Sequence, residues 1–516
     1  MNYHEREPMT LDWQVCSRAR LSRDARFDGK FFIGVRGSRV YCRSICPAPT
    51  AKEKNVTYFP TAAAAAEAGF RPCLRCRPEA SPGTPAWSGT SNTVSRALRL
   101  IAESGLEEGG VEALAERLGV GSRHLRRLFL KHLGATPSAV AHTRRMHFAK
   151  KLIDETNLPM LQVALASGFG CVRRFNAAVR KMYRRTPTQI RRLARPPARG
   201  QQNEYRFHLR FRPPYDWKAM LRFLGQRAIP GVEEVQSGIY RRSISLNGRD
   251  GYFEVSSAVA PNTLFARIQF DDPCALFFII ERIRAMFDLS ADWTEIAKTL
   301  RGDALLAERL RAAPGMRVPG CWDGFEVAVQ AILEQRMAIA KARVVMAQVA
   351  EKYGTPCVAG DALARVFPSP ETLMRADLMK IGISESQAKL MRNLARGVYE
   401  GKICFRESAN TESFIARLRE LAGMSNSAAQ YVAMRALGEP DAFPAGERRL
   451  MRALHLLDVA EVDRRSEVWR PWRAYAAVYL WDASAQGELC ERKKAGIREP
   501  RASPPTLARN RSRATA

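Results

Sequence analysis

Four cysteines lie in two close pairs near the start of the chain, Cys42 with Cys46 and Cys73 with Cys76. Each pair is short enough for one tight turn to place two thiolates on the same metal ion, and four thiolates are a usual ligand set for structural zinc. The alternative interpretation is four buried or free thiols. Because such paired spacing rarely arises without a metal, the sequence predicts one Zn²⁺ per chain, with all four cysteines as ligands.

The composition indicates where the protein is located and what kind of partner it binds. The 516 residues include 82 Lys and Arg against 52 Asp and Glu, a formal net charge of +30. Such an excess favours a polyanion, either nucleic acid or an anionic membrane surface. We find no apolar run that could span a bilayer and no signal-peptide core, so we expect a cytoplasmic protein that does not bind membranes. The eleven cysteines are unevenly placed, which favours a metal site over a disulfide framework.

The residues around the cysteines indicate what kind of domain holds the metal. Residues 27–78, with FDGKFFIGVRGSRVYCRSICP and KNVTYFPTAAAAAEAGFRPCLRCRP, resemble the N-terminal domain of the Ada family. The resemblance implies a small α+β zinc domain in which the cysteine of the Tyr-Cys-Arg step, here Cys42, accepts a methyl group from a DNA methylphosphotriester. Such a transfer is stoichiometric, because nothing regenerates the thiolate. Ser38 and Arg71 are the expected DNA contacts, whereas Pro47 and Pro49 replace phosphate-contacting arginines of some family members.

Two candidate helix-turn-helix units, residues 111–134 and 160–183, lie in a basic segment over 92–196. In each unit a glycine turn separates a short helix from a basic helix, an arrangement that suits the DNA major groove. The alternative is a basic helical bundle with solvated arginines. The two units, followed by FNAAVRKMYRRTPTQIRR, resemble an AraC-type DNA-binding domain, which implies an all-α double helix-turn-helix that binds double-stranded DNA and RNA polymerase. The predicted DNA-binding residues are Arg123, His124, Arg126, Arg127, Arg173 and Arg174.

The segment 203–484 begins with alternating runs that suit strands and becomes helical from about residue 272. Its stretches PPYDWKAMLRFLGQRAIPGVE, RVPGCWDGFEVAVQAIL, YVAMRALGEPDAFPAG and WRPWRAYAAVYLW resemble the AlkA-type DNA-3-methyladenine glycosylases. The resemblance implies an α+β subdomain followed by a helix-hairpin-helix domain, which flips an alkylated base into an aromatic pocket and excises it. By position Tyr431 and Trp481 line that pocket, and ordinary core packing is the alternative for both.

This segment departs from the family pattern at its hairpin and at its carboxylate. The hairpin reads LAGMSNSAA, with Gly423 kept and Ser425 in place of the second phosphate-binding glycine, and Ser427 replaces the pocket tryptophan. Glu447 stands at the catalytic aspartate, and the neighbouring Arg448 could pair with it. A misplacement of about 1 Å can lower a rate on the order of 100-fold. The sequence therefore leaves open an active glycosylase and a domain that binds DNA but is catalytically weak or inactive.

The predicted fold class is multidomain and mainly α. We assign a zinc-binding methyl-acceptor domain to 1–78, a linker to 79–91, the AraC-type domain to 92–196, the α+β subdomain to 203–290 and the glycosylase-like domain to 291–484, followed by a disordered basic tail over 485–516.

These modules predict a bifunctional alkylation-response protein of the bacterial nucleoid. It acts on alkylated DNA as a stoichiometric methylphosphotriester methyltransferase and transcriptional activator, with DNA-3-methyladenine glycosylase II activity left open, and is expected to be a monomer. A metabolite-responsive regulator lacks support, because no effector-binding domain is evident. No Pro-Cys-His-Arg motif is present, so O6-methylguanine repair is not expected.

Overall fold

The computed structural model describes residues 12–82, 92–104, 110–194, 203–357, 363–405 and 411–482. The predicted tail 485–516 and most of the predicted linker 79–91 lie outside these residues. Within the described ranges, no helix is both long and apolar enough to cross a membrane.

The first module is a small α+β domain around a four-stranded sheet with strand order β3-β1-β2-β4. Its elements are α1 (Trp13–Leu21), β1 (Phe32–Val35), β2 (Val40–Cys42), β3 (Val56–Phe59), α2 (Ala62–Glu67) and β4 (Arg71–Pro72). Strands β2 and β4 run parallel, with Tyr41 opposite Pro72. Because the next residue of each strand is a cysteine, this register places Cys42 beside Cys73 and brings the two cysteine pairs together.

The second module is all-α, as predicted. Its helices are α3 (Asn92–Ser104), α4 (Gly110–Arg117), α5 (Ser122–Leu133), α6 (Pro137–Glu155), α7 (Met160–Ala166), α8 (Val172–Tyr183) and α9 (Pro187–Ala194). Gly119 and Gly168 have φ of +68° and +74° at the two turns, a backbone region that glycine enters without steric cost. The long α6 joins the two helix-turn-helix units.

The third module begins with an antiparallel five-stranded sheet of order β5-β9-β8-β7-β6. This part contains β5 (Glu204–Arg210), α10 (Trp217–Arg227), β6 (Glu233–Gln236), β7 (Ile239–Leu246), β8 (Arg249–Ser257), β9 (Thr263–Gln269) and α11 (Leu276–Met286). Strand β5 alternates buried and exposed residues, the pattern of a sheet with one covered face.

The helical remainder of this module contains the predicted hairpin between α18 and α19. Its elements are α12 (Trp293–Leu300), α13 (Ala304–Ala312), α14 (Gly324–Glu334), α15 (Ile339–Tyr353), β10 (Thr355–Pro356), β11 (Arg365–Val366), α16 (Pro370–Arg375), α17 (Glu385–Tyr399), α18 (Thr411–Ala422), α19 (Asn426–Ala436), α20 (Arg448–Leu454) and α21 (Val459–Ser466). A further helical segment covers residues 473–482.

The three modules share hydrophobic cores instead of meeting only at their surfaces. One core joins Ala63 and Ala64 of α2 to the first helix-turn-helix unit. A second core joins the other unit, through residues such as Phe175, to the five-stranded sheet, through residues such as Phe207. Burial of apolar surface therefore stabilises the modules together.

Polar contacts cross the same boundaries. The Tyr41 hydroxyl lies 2.9 Å from Nε2 of His147 on α6. Glu79, at the start of the predicted linker, is packed against α6 and forms an ion pair with Lys150, 3.2 Å between Nζ and Oε1. The segment 79–82 is thus part of the packed structure. A cavity of about 380 Å³ at this junction includes His147 in its wall.

Candidate functional site

The four predicted zinc ligands form one cluster. The Sγ atoms of Cys42, Cys46, Cys73 and Cys76 all lie within 4.8 Å of one another. Four thiolates bound tetrahedrally at about 2.3 Å from zinc are about 3.8 Å apart, so the cluster fits one ion with only small shifts. The prediction of one Zn²⁺ held by four cysteines is confirmed.

One sulfur of the cluster accepts a hydrogen bond from a backbone donor. The backbone N–H of Arg43 donates to the Cys76 Sγ at 3.4 Å. A hydrogen bond to a thiolate stabilises its charged form, so this donor makes Cys76 a weaker nucleophile. Cys42, Cys73 and Cys76 are buried, and Cys46 is partly exposed.

A buried ion pair supports the ligand loops. Arg43 Nε donates to Asp28 Oδ1 at 2.7 Å, and Arg43 Nη1 donates to the Cys76 carbonyl at 2.9 Å. The Asp28 carbonyl in turn accepts from Nε of Arg212, in the third module, at 2.8 Å. Sequence reasoning missed this support, although both Arg43 and Asp28 lie within the stretch that resembles the Ada family. Such outer partners fix the orientation of metal ligands.

The predicted DNA contacts of this domain lie on neighbouring elements. Ser38 is exposed in the turn between β1 and β2. Arg71 is half-buried in β4, and its backbone N–H donates to the carbonyl of Arg39 in that same turn at 2.8 Å. Pro47 and Pro49 are both exposed in the loop after Cys46. Contact of Ser38 and Arg71 with DNA stays a prediction.

All predicted DNA-binding residues of the helix-turn-helix units are exposed on α5 and α8. They are Arg123, His124, Arg126 and Arg127 on α5, and Arg173 and Arg174 on α8. Two of the arginines have local partners: Arg126 pairs with Glu112 at 2.8 Å, and Arg127 lies 3.1 Å from Nδ1 of His124. The opposite faces of both helices are buried in their cores, so the basic faces are free to enter a groove.

Glu447 and Trp481 are brought together by the fold. Glu447 precedes α20 and caps it by accepting from the Leu450 N–H at 3.2 Å. Its Oε2 accepts from Nε1 of Trp481 at 2.7 Å, and its Oε1 accepts from Nε of Arg449 at 2.8 Å. The expected pairing with Arg448 is wrong: Arg448 is exposed and Arg449 is the partner, because the first turn of α20 directs Arg449 back toward the cap.

The predicted pocket aromatics pack on each other. Tyr431 and Trp481 form an edge-to-face pair with centroids 6.0 Å apart, and they are only 7% and 3% exposed. Phe223 also lies 6.0 Å from Trp481. The Tyr431 hydroxyl accepts from Nη1 of Arg435 at 3.0 Å. Sequence reasoning missed Phe223 and Arg435, which come from α10 and from the far end of α19.

The hairpin keeps its turn despite the substitutions. Gly423 has φ of +67°, a conformation that favours glycine. Ser425 has φ of −64° and caps α19, so no second glycine is required there. The backbone N–H of Ser425 donates to Oε1 of Gln335 at 3.1 Å. Ser427 Oγ accepts from the Gly446 N–H at 2.8 Å and so ties the hairpin helix to the segment that carries Glu447.

Three family models match the chain. They are the metal binding domain of Ada over 15–79, a helix-turn-helix domain over 114–193 and the AlkA N-terminal domain over 206–323. The last match extends beyond the predicted subdomain boundary at residue 290.

One curated relative and one solved structure each match about half of this chain. The chain is 30% identical over 280 residues to the DNA-3-methyladenine glycosylase 2 of Escherichia coli, covering 53% of this chain and 96% of that protein. A solved 3-methyladenine DNA-glycosylase from Archaeoglobus fulgidus shares 20% identity with a TM-score of 0.49, over 55% of this chain and 99% of that one.

A probable bifunctional transcriptional activator/DNA repair enzyme AlkA of Mycobacterium tuberculosis matches nearly the whole chain. The two are 37% identical over 480 residues, which cover 91% of this chain and 96% of the relative. The family models match this chain in the order Ada-type metal domain, helix-turn-helix domain and AlkA N-terminal domain. The chain therefore belongs to the AlkA family of bifunctional transcriptional activators and DNA repair enzymes.

Proposed function

We propose that the chain senses alkylation of DNA at Cys42, activates transcription of repair genes through its helix-turn-helix module and excises alkylated bases such as 3-methyladenine with its third module. The observation that carries the sensor role is the cluster of four cysteine sulfurs, with Cys42 at the end of β2, in the module that matches the metal binding domain of Ada. The names of the relatives, which join transcriptional activation to DNA repair, support the same assignment.

The methyl transfer follows from the chemistry of the site. A zinc ion held by Cys42, Cys46, Cys73 and Cys76 would keep their thiols deprotonated at neutral pH. The Cys42 sulfur lone pair attacks the methyl carbon of a methylphosphotriester, the carbon–oxygen bond breaks, and the phosphodiester recovers its negative charge. Cys42 becomes a thioether, and the Arg43–Asp28 pair holds the other ligand loop in place. This step is stoichiometric, since no group among the described residues of the site removes the methyl.

The same step changes the charge of the sensor. With zinc bound, the four thiolates would give the site a net charge of −2, and methylation of Cys42 would reduce it to −1. Removing one negative charge that faces a phosphate is worth up to about 4 kcal/mol at roughly 4 Å and an effective dielectric of about 20. The methylated protein would therefore bind double-stranded DNA more tightly and recruit RNA polymerase. We expect this to occur on the bacterial nucleoid, in the cytoplasm, with the protein as a monomer.

Methyl uptake tests the sensor. Zinc content and transfer of labelled methyl from methylnitrosourea-treated DNA are measured for the full chain and for Cys42→Ala, with Cys171→Ala as the control. We expect about one zinc and one methyl per wild-type chain, no phosphotriester methyl on Cys42→Ala, and normal uptake by Cys171→Ala, whose thiol is exposed on the second helix-turn-helix unit. Uptake by Cys42→Ala at the wild-type level would assign the nucleophile to another cysteine.

In the third module we propose that Glu447 is the carboxylate that stabilises the developing oxocarbenium ion of the sugar, with Trp481 and Tyr431 beside the flipped base. Their proximity supports this role. The second candidate is a domain that binds alkylated DNA with weak or no cleavage, which is favoured by the donors already engaged with the Glu447 carboxylate.

Base release separates the two candidates. Release of 3-methyladenine from dimethyl sulfate-treated DNA is measured with protein in excess. Release that is lost in Glu447→Gln supports the glycosylase. Binding of the alkylated duplex without release, by a protein whose thermal unfolding is cooperative, supports the non-cleaving domain.

A further inference from the structure

Arg449 contacts both Glu447 and Trp481 at the proposed base site. Its Nε donates to Glu447 Oε1 at 2.8 Å. Its guanidinium carbon lies 5.6 Å from the centroid of the Trp481 ring. The guanidinium is therefore a planar cation that touches a carboxylate and an indole at once.

An alkylated purine such as 3-methyladenine in its nucleotide is also a planar group with a positive charge. In a site made of a carboxylate and an indole it would use the same attractions, because an aromatic face attracts a cation within about 6 Å and a carboxylate attracts it electrostatically. The guanidinium and the damaged base thus compete for the same partners.

We propose that Arg449 occupies the base site as an internal substitute for a cationic alkylated base, and that an incoming base must displace it before Glu447 can act. This inference rests on the proposed function of Glu447 and Trp481. The rate of base release then depends on the displacement of Arg449 and on charge compensation at Glu447, in addition to the presence of the carboxylate.

A comparison with Arg435 shows why Arg449 is the displaceable cation. The Arg435 guanidinium also lies over aromatic rings, 5.1 Å from Phe223 and 5.7 Å from Tyr431. It is 5% exposed, and it donates to the carbonyls of Pro319 and Gly320 at 3.0 and 2.8 Å. The Arg449 side chain is 21% exposed at the start of a short helix, so part of it already faces solvent.

The experiment compares Arg449→Gln with Arg448→Gln in the full chain. Arg448 is the matched control, because it is adjacent, equally charged and exposed. Release of 3-methyladenine is measured in single turnover from dimethyl sulfate-treated duplex DNA. We expect Arg449→Gln to release base at least tenfold faster than the wild type, a change of about 1.4 kcal/mol in barrier. Arg448→Gln should stay within about twofold, and Arg449→Gln/Glu447→Gln should lose the gain.

The outcomes are distinguishable. Damage to the fold would slow base release. A faster rate that depends on Glu447 therefore supports the proposal that Arg449 occupies the base site. Glu447-dependent release by the wild type with no gain in Arg449→Gln overturns this inference and leaves the proposed function intact. Release that is unchanged in Glu447→Gln contradicts the proposed function. No release by any variant overturns both.

Discussion

The thiolates of the sensor site and the carboxylate of the glycosylase-like site differ in the donors that contact them. In the sensor, one backbone N–H faces Cys76, and the nearby Arg43 guanidinium is bound to Asp28, so that cation is paired with a carboxylate and not with a thiolate. In the third module, by contrast, the Glu447 carboxylate is engaged by an arginine, an indole and a helix N-terminus. The contrast indicates that a reactive group is defined by the donors around it as much as by its residue type.

Removal of zinc should give the largest difference in stability between the sensor site and the glycosylase-like site. Structural zinc contributes about 10 kcal/mol of binding free energy in small domains, and that energy becomes folding energy. We expect a chelator to abolish hydrogen-exchange protection over residues 12–82 and to leave protection over 411–482 largely unchanged. Protection of the sensor that survives stoichiometric loss of zinc would show that the shared core, and not the metal, holds this domain.

Loss of the Asp28–Arg43 pair should give the next largest effect, again confined to the sensor. Asp28→Ala leaves a buried guanidinium without its carboxylate, a change that typically destabilises a protein by about 3–5 kcal/mol. We expect lower thermal stability and weaker zinc retention, measured by calorimetry and by competition with a colorimetric chelator. Asp28→Leu/Arg43→Met serves as the control and should be more stable than Asp28→Ala. Equal stability of the wild type and both variants would remove the pair from the support of the sensor.

A pH titration tests the contact between the sensor and α6. Burial lowers the pKa of His147 from 6.5 to about 4. The unfolded chain therefore gains a proton below pH 6.5 that the folded protein resists, and stability is lost as the pH falls from 6.5 toward 4. A shift of this size corresponds to a loss on the order of 3 kcal/mol. Chemical unfolding at pH 7 and 4.5 should show a smaller loss in His147→Gln than in the wild type, and an identical loss would exclude His147 as its source.

Ser427→Ala is the smallest expected perturbation. It removes the acceptor for the Gly446 N–H, a bond that contributes about 1 kcal/mol. Stability should fall by that amount in urea unfolding, and base release should change because the segment carrying Glu447 loses its tie to α19. Ser386→Ala, on an exposed part of α17, is the control. A base-release rate unaffected by Ser427→Ala would mean that α20 positions Glu447 without the hairpin.

The sequence predicted the parts of this molecule that depend on spacing and on family pattern. The four metal ligands and the two helix-turn-helix units are of this kind, whereas the role of Glu447 stays a prediction. It did not predict contacts that depend on how chain segments far apart meet. Tyr41 and His147 are separated by 106 positions, and no local signal joins them. The choice of Arg449 over Arg448 was missed because it depends on how the helix cap turns the first residues of α20.

The contact between Arg212 and Asp28 limits how the modules of this chain can be exchanged. This residue of the third module donates to the backbone of Asp28, directly behind the metal site. The Escherichia coli relative is matched over 96% of its own length by only 53% of this chain. In this chain, residues of each module lie in a hydrophobic core or a buried contact that is shared with another module. Exchanging one module for a homologue would therefore expose apolar and charged groups unless the contacts around Asp28, Glu79 and Phe207 were exchanged with it.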